Sequence, residues 1–219
     1  MLRYILFDLD NTLYPAATGL WEAIGKRITL YLIERMGFPS AEAAVLRGQY
    51  FATFGTTLNG LRHDYHIDPH DYLAFVHDLP LAHYLQPDPA LDAMLARLPL
   101  TKVVFTNADA AHACRVLECL GLARHFTHII DLLALDFVNK PDPLAYRRAL
   151  EQLGAAPAEC LFIDDTPSNL PPASALGIHT VLIGEMPVSQ NGIDYQITNL
   201  LELENVLGQL GGWNNLAAH

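Results

Sequence analysis

Two aspartates separated by one residue, Asp8 and Asp10, follow a short hydrophobic run near the amino terminus. The run, residues 3–8, is typical of a buried strand, and the Asn-Thr pair after Asp10 indicates that the chain turns as it leaves the sheet. Two carboxylates this close repel each other unless a cation lies between them or one of them binds a proton. The pair therefore predicts a site for a hard cation such as Mg²⁺, with one carboxylate available as a nucleophile.

Three later segments also place polar side chains directly after hydrophobic runs. Thr106 and Asn107 precede a predicted helix, whose first N–H groups would suit a phosphate, although an ordinary helix cap has the same pattern. Lys140, one of three lysines in the chain, stands in a stiff loop before another helix. Asp164 and Asp165 end a further hydrophobic run. Because one lysine does not balance four carboxylates, a divalent cation is expected here.

Strands and helices alternate from residue 86 onward, which predicts a parallel, doubly wound α/β sheet that also contains the first strand. Strands are expected at residues 101–106, 128–130, 160–164 and 179–183, and helices at 87–98, 109–120, 142–153 and 167–176. In such sheets, ligands bind at the carboxyl ends of the strands. The polar side chains described above all stand at such ends.

The segment between the first and second strands has only helical patterns, at residues 20–36, 41–54 and 71–76. This pattern predicts a helical cap inserted after strand 1. The expected domains are an α/β catalytic core of residues 1–14 and 86–210, a helical cap of residues 15–85, and a flexible tail of residues 211–219.

The composition excludes several classes of protein. The chain has 219 residues, 51% of them hydrophobic, and a net charge of −11 with 13 lysines and arginines, so no nucleic-acid polymer is expected as a partner. No apolar stretch is long enough to cross a membrane, and no signal peptide is evident, so the expected location is cytoplasmic. The three cysteines are too few for a disulfide framework and are expected to be small buried apolar residues.

Taken together, the motifs DLDNT (8–12), TNA (106–108), KP (140–141) and FIDDTPSN (162–169) resemble the haloacid dehalogenase superfamily of hydrolases. The resemblance implies a Rossmann-like core and a catalytic Asp8, the nucleophile that forms an aspartyl phosphate. It implies that Asp10 is the general acid and base, so that the pKa of Asp10 is expected to be raised. Thr106 and Lys140 resemble the clamps for phosphate and charge, and Asn107 is expected to bind substrate.

The same resemblance implies a Mg²⁺ cofactor. Its expected ligands are Asp8, Asp164, Asp165 and Asp10, the last through its main-chain carbonyl. Superfamily members that cleave carbon–halogen bonds need no metal and lack an acid two residues after the nucleophile. Asp10 and the Asp164–Asp165 pair therefore favour a phosphatase over a dehalogenase.

A narrower resemblance is to the pyrimidine 5′-nucleotidase branch, and it is carried by DLDNTLYP, GTTLNGL, TNADAAHACRVLECLGL and FIDDTPSN together. It implies a small phosphorylated metabolite as partner, a nucleoside monophosphate such as UMP or CMP. Residues 54–61 are expected to form a flexible polar loop whose Thr56, Thr57 and Asn59 contact the substrate. The histidine-rich residues 63–70 are expected to be a solvated turn, and His112 could reach the site or lie on a helix surface. The alternatives are a phosphatase for small sugar phosphates or phosphoglycolate, and a non-catalytic protein that binds a phosphate ligand.

Overall fold

The computed structural model describes residues 1–186, 188 and 190–211. Six parallel strands form one sheet in the order β3-β2-β1-β4-β5-β6. The strands are β1 (Tyr4–Phe7), β2 (Thr101–Phe105), β3 (Phe126–Ile130), β4 (Cys160–Asp164), β5 (His179–Ile183) and β6 (Tyr195–Ile197). The expected α/β class with a parallel sheet is confirmed.

Both faces of the sheet are covered, which explains why its central strands are continuous hydrophobic runs. In β1, Ile5 and Phe7 pack into one hydrophobic cluster and Leu6 into the cluster on the opposite face. The helices that cover the faces are α5 (Pro89–Arg97), α6 (Ala110–Leu120), α7 (Pro143–Leu153), α8 (Leu170–Ala175) and α9 (Leu203–Gln209). The sequence did not indicate β6 or α9, because a three-residue strand and a seven-residue helix are too short to show a period.

Four α-helices, which we call the helical insertion, lie between β1 and α5: α1 (Leu20–Glu34), α2 (Ser40–Phe54), α3 (Thr57–Tyr65) and α4 (Pro69–Val76). They share a hydrophobic cluster that includes Tyr31, Tyr50, Leu61 and Tyr72. The division into core, cap and tail domains remains a prediction. Residues 212–219, most of the predicted tail, lie outside the described residues.

The prediction of a flexible polar loop at residues 54–61 is wrong. Only Gly55 and Thr56 separate α2 from α3, and α3 also includes the first part of the histidine-rich segment. The Thr56 hydroxyl accepts the N–H of Asn59 and so caps α3, while Leu58 and Leu61 are buried one helical turn apart. Within the part of the chain that the structure describes, no helix is long and apolar enough to cross a membrane.

Candidate active site

The site begins where β1 and β4 lie side by side. Phe7 pairs with Ile163, so the next residues, Asp8 and Asp164, stand at equivalent positions on neighbouring strands. The Asp8 amide donates to the Ile163 carbonyl at 2.9 Å and extends the pairing by one residue. In this strand order, the direction of the winding reverses between β1 and β4, which is where doubly wound sheets bind ligands.

The Lys140 ammonium joins these two aspartates. Its Nζ donates to Asp8 Oδ1 at 2.7 Å, to Asp164 Oδ2 at 2.8 Å and to the carbonyl of Phe105 at 2.8 Å. An ammonium has three donors, and all three are used here. Lys140 is 2% exposed although it follows β3 in a loop, so its position comes from these contacts and not from a strand.

The pKa values of Asp8, Asp165 and Lys140 are all raised, the two carboxyl groups mainly by burial and the ammonium by its carboxylate partners. Burial raises the pKa of Asp8 well above its usual value, and the pull of Lys140 does not offset the burial and the repulsion from Asp164 and Asp165. Burial and Asp164 raise the pKa of Asp165 to about 6. Burial alone would lower the pKa of Lys140, but Asp164 and Asp8 outweigh it and raise that pKa, so the ammonium keeps its proton.

The donor set suits a hard divalent cation. Asp8, Asp164 and Asp165 each offer a carboxylate oxygen, and these oxygens lie within 4.8 Å of one another. Carboxylate oxygens are the ligands that Mg²⁺ takes in proteins. Three carboxylates share one ammonium, so the cluster lacks positive charge that a cation would supply. The chemistry of these residues therefore fits the group that the resemblance implies.

Two groups around the cluster hold Asp164 in place. The Asn169 side-chain amide donates to both carboxylate oxygens of Asp164 at 3.0 Å, and the Thr166 amide donates to Oδ1 at 2.8 Å. With Lys140 these bonds fix the orientation of the carboxylate. The sequence reasoning did not identify Asn169, although it ends the FIDDTPSN motif.

Asp10 lies outside this carboxylate cluster and has different partners. Its Oδ1 accepts the Tyr14 hydroxyl at 2.5 Å and the His112 Nε2–H at 3.1 Å. The expectation that the pKa of Asp10 is raised is contradicted. Burial alone would raise it, but the interaction with His112 and the bonds from His112 and Tyr14 outweigh burial and lower the pKa. The physical reason is tertiary, because His112 comes from α6, about a hundred residues away.

His112 is itself held by a second histidine. The rings of His77 and His112 stack with centroids 4.1 Å apart and an interplanar angle of 17°. His77 Nδ1 lies 2.7 Å from a carboxylate oxygen of Asp109, and both side chains are largely buried. His77 follows α4, so the end of the helical insertion touches the residue that contacts Asp10.

Thr106 and Asn107 follow β2 as expected, but their side chains have different hydrogen-bond partners. The Thr106 Oγ1 accepts the Ala108 amide at 2.9 Å, which leaves its own proton available to donate. The Asn107 amide is used on the main chain of Lys140: Nδ2 donates to the Lys140 carbonyl at 3.0 Å, and Oδ1 accepts the Lys140 N–H at 2.9 Å. Asn107 therefore positions the lysine, and its contact with a substrate stays a prediction.

The three insertion residues that were expected to contact substrate are engaged elsewhere. Thr56 caps α3, and the Thr57 hydroxyl faces the carbonyl of Arg47 at 3.4 Å. The Asn59 amide donates to the Phe137 carbonyl at 2.8 Å and to the Asn139 Oδ1 at 2.6 Å. The structure thus brings Asn59 to the loop that carries Lys140 and ties the insertion to the core there.

This contact depends on a glycine. Gly55 has a φ of +76°, and a Cβ at that position would lie 2.0 Å from Nδ2 of Asn139. Asn139 is 8% exposed and donates to the carbonyl of Lys140 at 2.7 Å. Any side chain at residue 55 would push Asn139 away from its place beside the lysine.

A cleft of about 470 Å³ extends from the loop after β1 to the insertion, and its lining residues are Asn11, Ala16, Trp21, Glu22, Lys26 and Arg47. Trp21 is 44% exposed. Lys26 pairs with Glu22 at 2.8 Å, whereas no ion pair with Arg47 forms among the described residues. The Arg47 guanidinium lies against Gly25, where a Cβ would stand 2.6 Å from Nη2. The cleft thus offers an aromatic face and an unpaired cation.

Besides Asn169, neither Tyr14 nor Asn139 was identified from the sequence. His112 was left undecided between the site and a helix surface. The i, i+4 spacing of Asp10 and Tyr14 was the one local signal that could have been used. The contacts of His112 and Asn139 depend on the tertiary fold.

The amino-acid sequence is similar to those of known hydrolases. A profile of haloacid dehalogenase-like hydrolases matches residues 2–177. Phosphate metabolism protein 8 of Saccharomyces cerevisiae is 32% identical over 195 residues, which cover 82% of this chain and 61% of the yeast protein. Phosphoglycolate phosphatase of Rhodospirillum rubrum is 31% identical over 208 residues, which cover 84% of this chain and 80% of that protein. The chain therefore spans less than two thirds of the yeast relative.

Solved structures show the same fold at lower identity. A phosphatase from Thermococcus onnurineus superposes with a TM-score of 0.67 at 21% identity, covering 94% of this chain and 98% of that one. A 2-haloacid dehalogenase from Pseudomonas syringae pv. Tomato DC3000 superposes with a TM-score of 0.63 at 21% identity, covering 96% and 100%. With a family match across most of its length, the chain belongs to the haloacid dehalogenase-like hydrolases.

Proposed function

We propose that this protein is a Mg²⁺-dependent phosphomonoesterase that works through an aspartyl phosphate on Asp8. The observation that carries the proposal is the arrangement of Asp8, Asp164 and Lys140 at the carboxyl ends of β1 and β4, with Asp165 alongside. The arrangement concentrates a nucleophile, a cation and a metal donor set at one point. Phosphoryl transfer needs mainly positioning and neutralisation of charge, and this site offers both.

In the first step, the Asp8 carboxylate attacks the phosphorus and a new P–O bond forms. The bond between phosphorus and the ester oxygen breaks, and its electron pair goes to that oxygen while Asp10 donates the proton. An anionic substrate adds negative charge beside Asp10 and so favours its protonated form before the transfer. The Thr106 hydroxyl donates to a phosphoryl oxygen, and the positive charge of Lys140, which holds Asp8, offsets negative charge at the transferring group.

In the second step, water attacks the phosphorus of the aspartyl phosphate and Asp10 accepts a proton from this water. The P–O bond to Asp8 breaks, phosphate leaves, and both aspartates return to their starting states. Mg²⁺, held by Asp8, Asp164, Asp165 and the main-chain carbonyl of Asp10, would supply positive charge that neutralises the phosphate oxygens.

For the substrate, we propose a nucleoside monophosphate of the pyrimidine class. The support is the cleft beside Asn11, which is larger than a two-carbon leaving group requires. The exposed face of Trp21 can stack on a base, and the unpaired Arg47 can donate to its carbonyl oxygens. A cytoplasmic location is part of the same proposal, because such metabolites are found there.

Phosphoglycolate is the second candidate substrate. A relative with 31% identity bears the name phosphoglycolate phosphatase, and Arg47 could pair with the carboxylate of glycolate. The two candidate substrates differ in whether their binding requires the Trp21 side chain. Stacking on a base needs its ring, whereas a carboxylate needs only the arginine.

The test compares phosphate release from UMP, CMP, phosphoglycolate and p-nitrophenyl phosphate in the presence of Mg²⁺. We expect UMP and CMP to have the highest kcat/KM, and Trp21→Ala to raise their KM. A preference for phosphoglycolate that persists in Trp21→Ala would establish the second candidate instead. A protein that binds these compounds but turns none over would be a phosphate-ligand binding protein.

The nucleophile is tested separately. Asp8→Asn should abolish turnover and should remove the acid-stable, base-labile phosphoryl label that the wild-type protein carries after quenching. Asp136→Asn is a matched control, because this aspartate side chain is 87% exposed and its φ of +49° is one that asparagine tolerates. Wild-type turnover by Asp8→Asn would refute the assignment.

A further inference from the structure

One oxygen of Asp10 is saturated by donors. Oδ1 accepts hydrogen bonds from both the Tyr14 hydroxyl and the His112 imidazole. A carboxyl oxygen that bears no proton can only accept, so Nε2 of His112 must carry the hydrogen in this contact. With two donors directed at Oδ1, the proton of a neutral Asp10 would have to reside on Oδ2.

Both donors are fixed by burial. Tyr14 is 2% exposed and His112 1% exposed. The Tyr14 hydroxyl is directed at a carboxylate oxygen, which accepts, so the hydroxyl is the donor in this contact. The ring of His112 stacks on the ring of His77, whose Nδ1 lies 2.7 Å from a carboxylate oxygen of Asp109. Neither donor contacts the carboxylates of the predicted metal site, so their contacts point to a role at Asp10.

The helical insertion supports this arrangement from outside. The Arg115 guanidinium on α6 donates to the carbonyl of His77 at 2.9 Å and to the carbonyl of Leu79 at 2.7 Å. These bonds hold the segment after α4 against α6, and they keep the His77 ring over His112. The alignment of Asp10 is thereby tied to the docking of the insertion.

We propose that Tyr14 and His112 are positioning residues that orient Asp10, so that Oδ2 faces the ester oxygen and delivers the proton to the leaving group. The proposal deepens the phosphomonoesterase function proposed above and rests on it. The proton that leaves Oδ2 goes to the ester oxygen as the P–O bond to the leaving group breaks, and Oδ1 remains an acceptor throughout. Because the two residues act through Asp10, neither needs to contact the substrate.

The proposal makes a prediction that depends on the leaving group. An alkoxide needs a proton to leave, whereas p-nitrophenolate leaves without one. A misaligned acid therefore slows the first phosphoryl transfer only for substrates with an alkoxide leaving group. The value of kcat/KM reports the first phosphoryl transfer and excludes the shared second step. A general loss of structure would lower kcat/KM for both kinds of substrate equally.

The experiment uses Tyr14→Phe, which removes one hydroxyl, and His112→Leu, which removes the imidazole donor at similar volume. We expect kcat/KM for UMP to fall by roughly tenfold to a hundredfold in each, part of the full contribution of about 10²–10⁴ from general acid catalysis. The kcat/KM for p-nitrophenyl phosphate should stay within about threefold. His112→Gln, whose amide can replace Nε2, should recover much of the activity toward UMP.

His125→Leu is the matched control. The His125 side chain is 8% exposed and also pairs with an aspartate, Asp92 at 2.7 Å, but it directly precedes β3 and so lies at the amino end of that strand, away from the carboxyl ends that carry the site. This variant should leave the ratio of the two kcat/KM values unchanged. Equal losses on both substrates in Tyr14→Phe and His112→Leu, or no loss on UMP, would overturn the positioning role alone. No turnover by the wild-type protein would overturn the phosphomonoesterase proposal and this role together.

Discussion

Replacing Lys140 by methionine tests whether the buried ammonium stabilises the folded protein as well as supporting turnover. The side chain makes three hydrogen bonds, two of them to the carboxylates of Asp8 and Asp164. Lys140→Met would keep most of the volume and leave two buried carboxylates without their cation. Removing one partner of a buried ion pair costs about 3–5 kcal/mol, because the remaining charge stays desolvated.

The expected loss is large for a protein of this size. A change of 1 kcal/mol shifts the melting temperature of a domain of 150–250 residues by about 2–4 °C, so Lys140→Met should melt roughly 6–20 °C lower. Asp8→Asn should behave differently. It keeps an oxygen that can accept from Lys140 and removes a charge that burial disfavours, so we expect a change of about 1 kcal/mol or less.

The assay is urea denaturation in EDTA, followed by circular dichroism, with phosphate release measured in Mg²⁺. Lys140→Met should lose both stability and turnover, whereas Asp8→Asn should lose turnover alone. Lys26→Met is the control, because its ion pair with Glu22 is exposed to solvent and should contribute little to the free energy of unfolding. If Lys140→Met unfolds at the wild-type urea midpoint, the electrostatic account of this site is wrong.

Three further outcomes are expected. Gly60→Ala should destabilise the protein by about 1–3 kcal/mol, since its Cβ would lie 2.2 Å from Cγ of Tyr50, whereas Gly48→Ala has open space and should be neutral or stabilising in thermal melts. Alkylation at pH 8, followed by mass spectrometry, should modify the exposed Cys114 well before Cys160, because burial raises the pKa of Cys160 to about 12. EDTA should stop phosphate release and Mg²⁺ should restore it, and added Mg²⁺ should raise the melting temperature; an unchanged rate in EDTA would contradict the metal site.

The cysteines show where sequence reasoning reached its limit. All three were expected to be buried, and this holds for Cys160, which faces the core from β4. It is wrong for Cys114, which lies on the exposed face of α6. A helix has two faces, and the identity of one small residue does not tell which face it occupies. In a buried strand, both faces are covered and no such choice exists.

The residues of the insertion show a second limit. Thr56, Thr57 and Asn59 were expected to contact substrate because a Gly-Thr-Thr segment is typical of a flexible polar loop. The structure uses Thr56 as a helix cap and Asn59 as a contact to Phe137 and Asn139. Local sequence showed that these side chains could donate and accept hydrogen bonds, but it did not show which partner the fold would bring near.

The sequence by itself determined the parallel sheet and the strand ends that carry Asp8 and Asp164, the two carboxylates that Lys140 contacts. Hydrophobic runs and their polar ends are local patterns, and parallel strands must bring such ends to one edge of the sheet. Only the tertiary structure decided the surroundings of Asp10. His112 reaches it from a helix about a hundred residues away, and that contact sets the direction of its pKa shift because electrostatic interactions depend on distance in space and not along the chain.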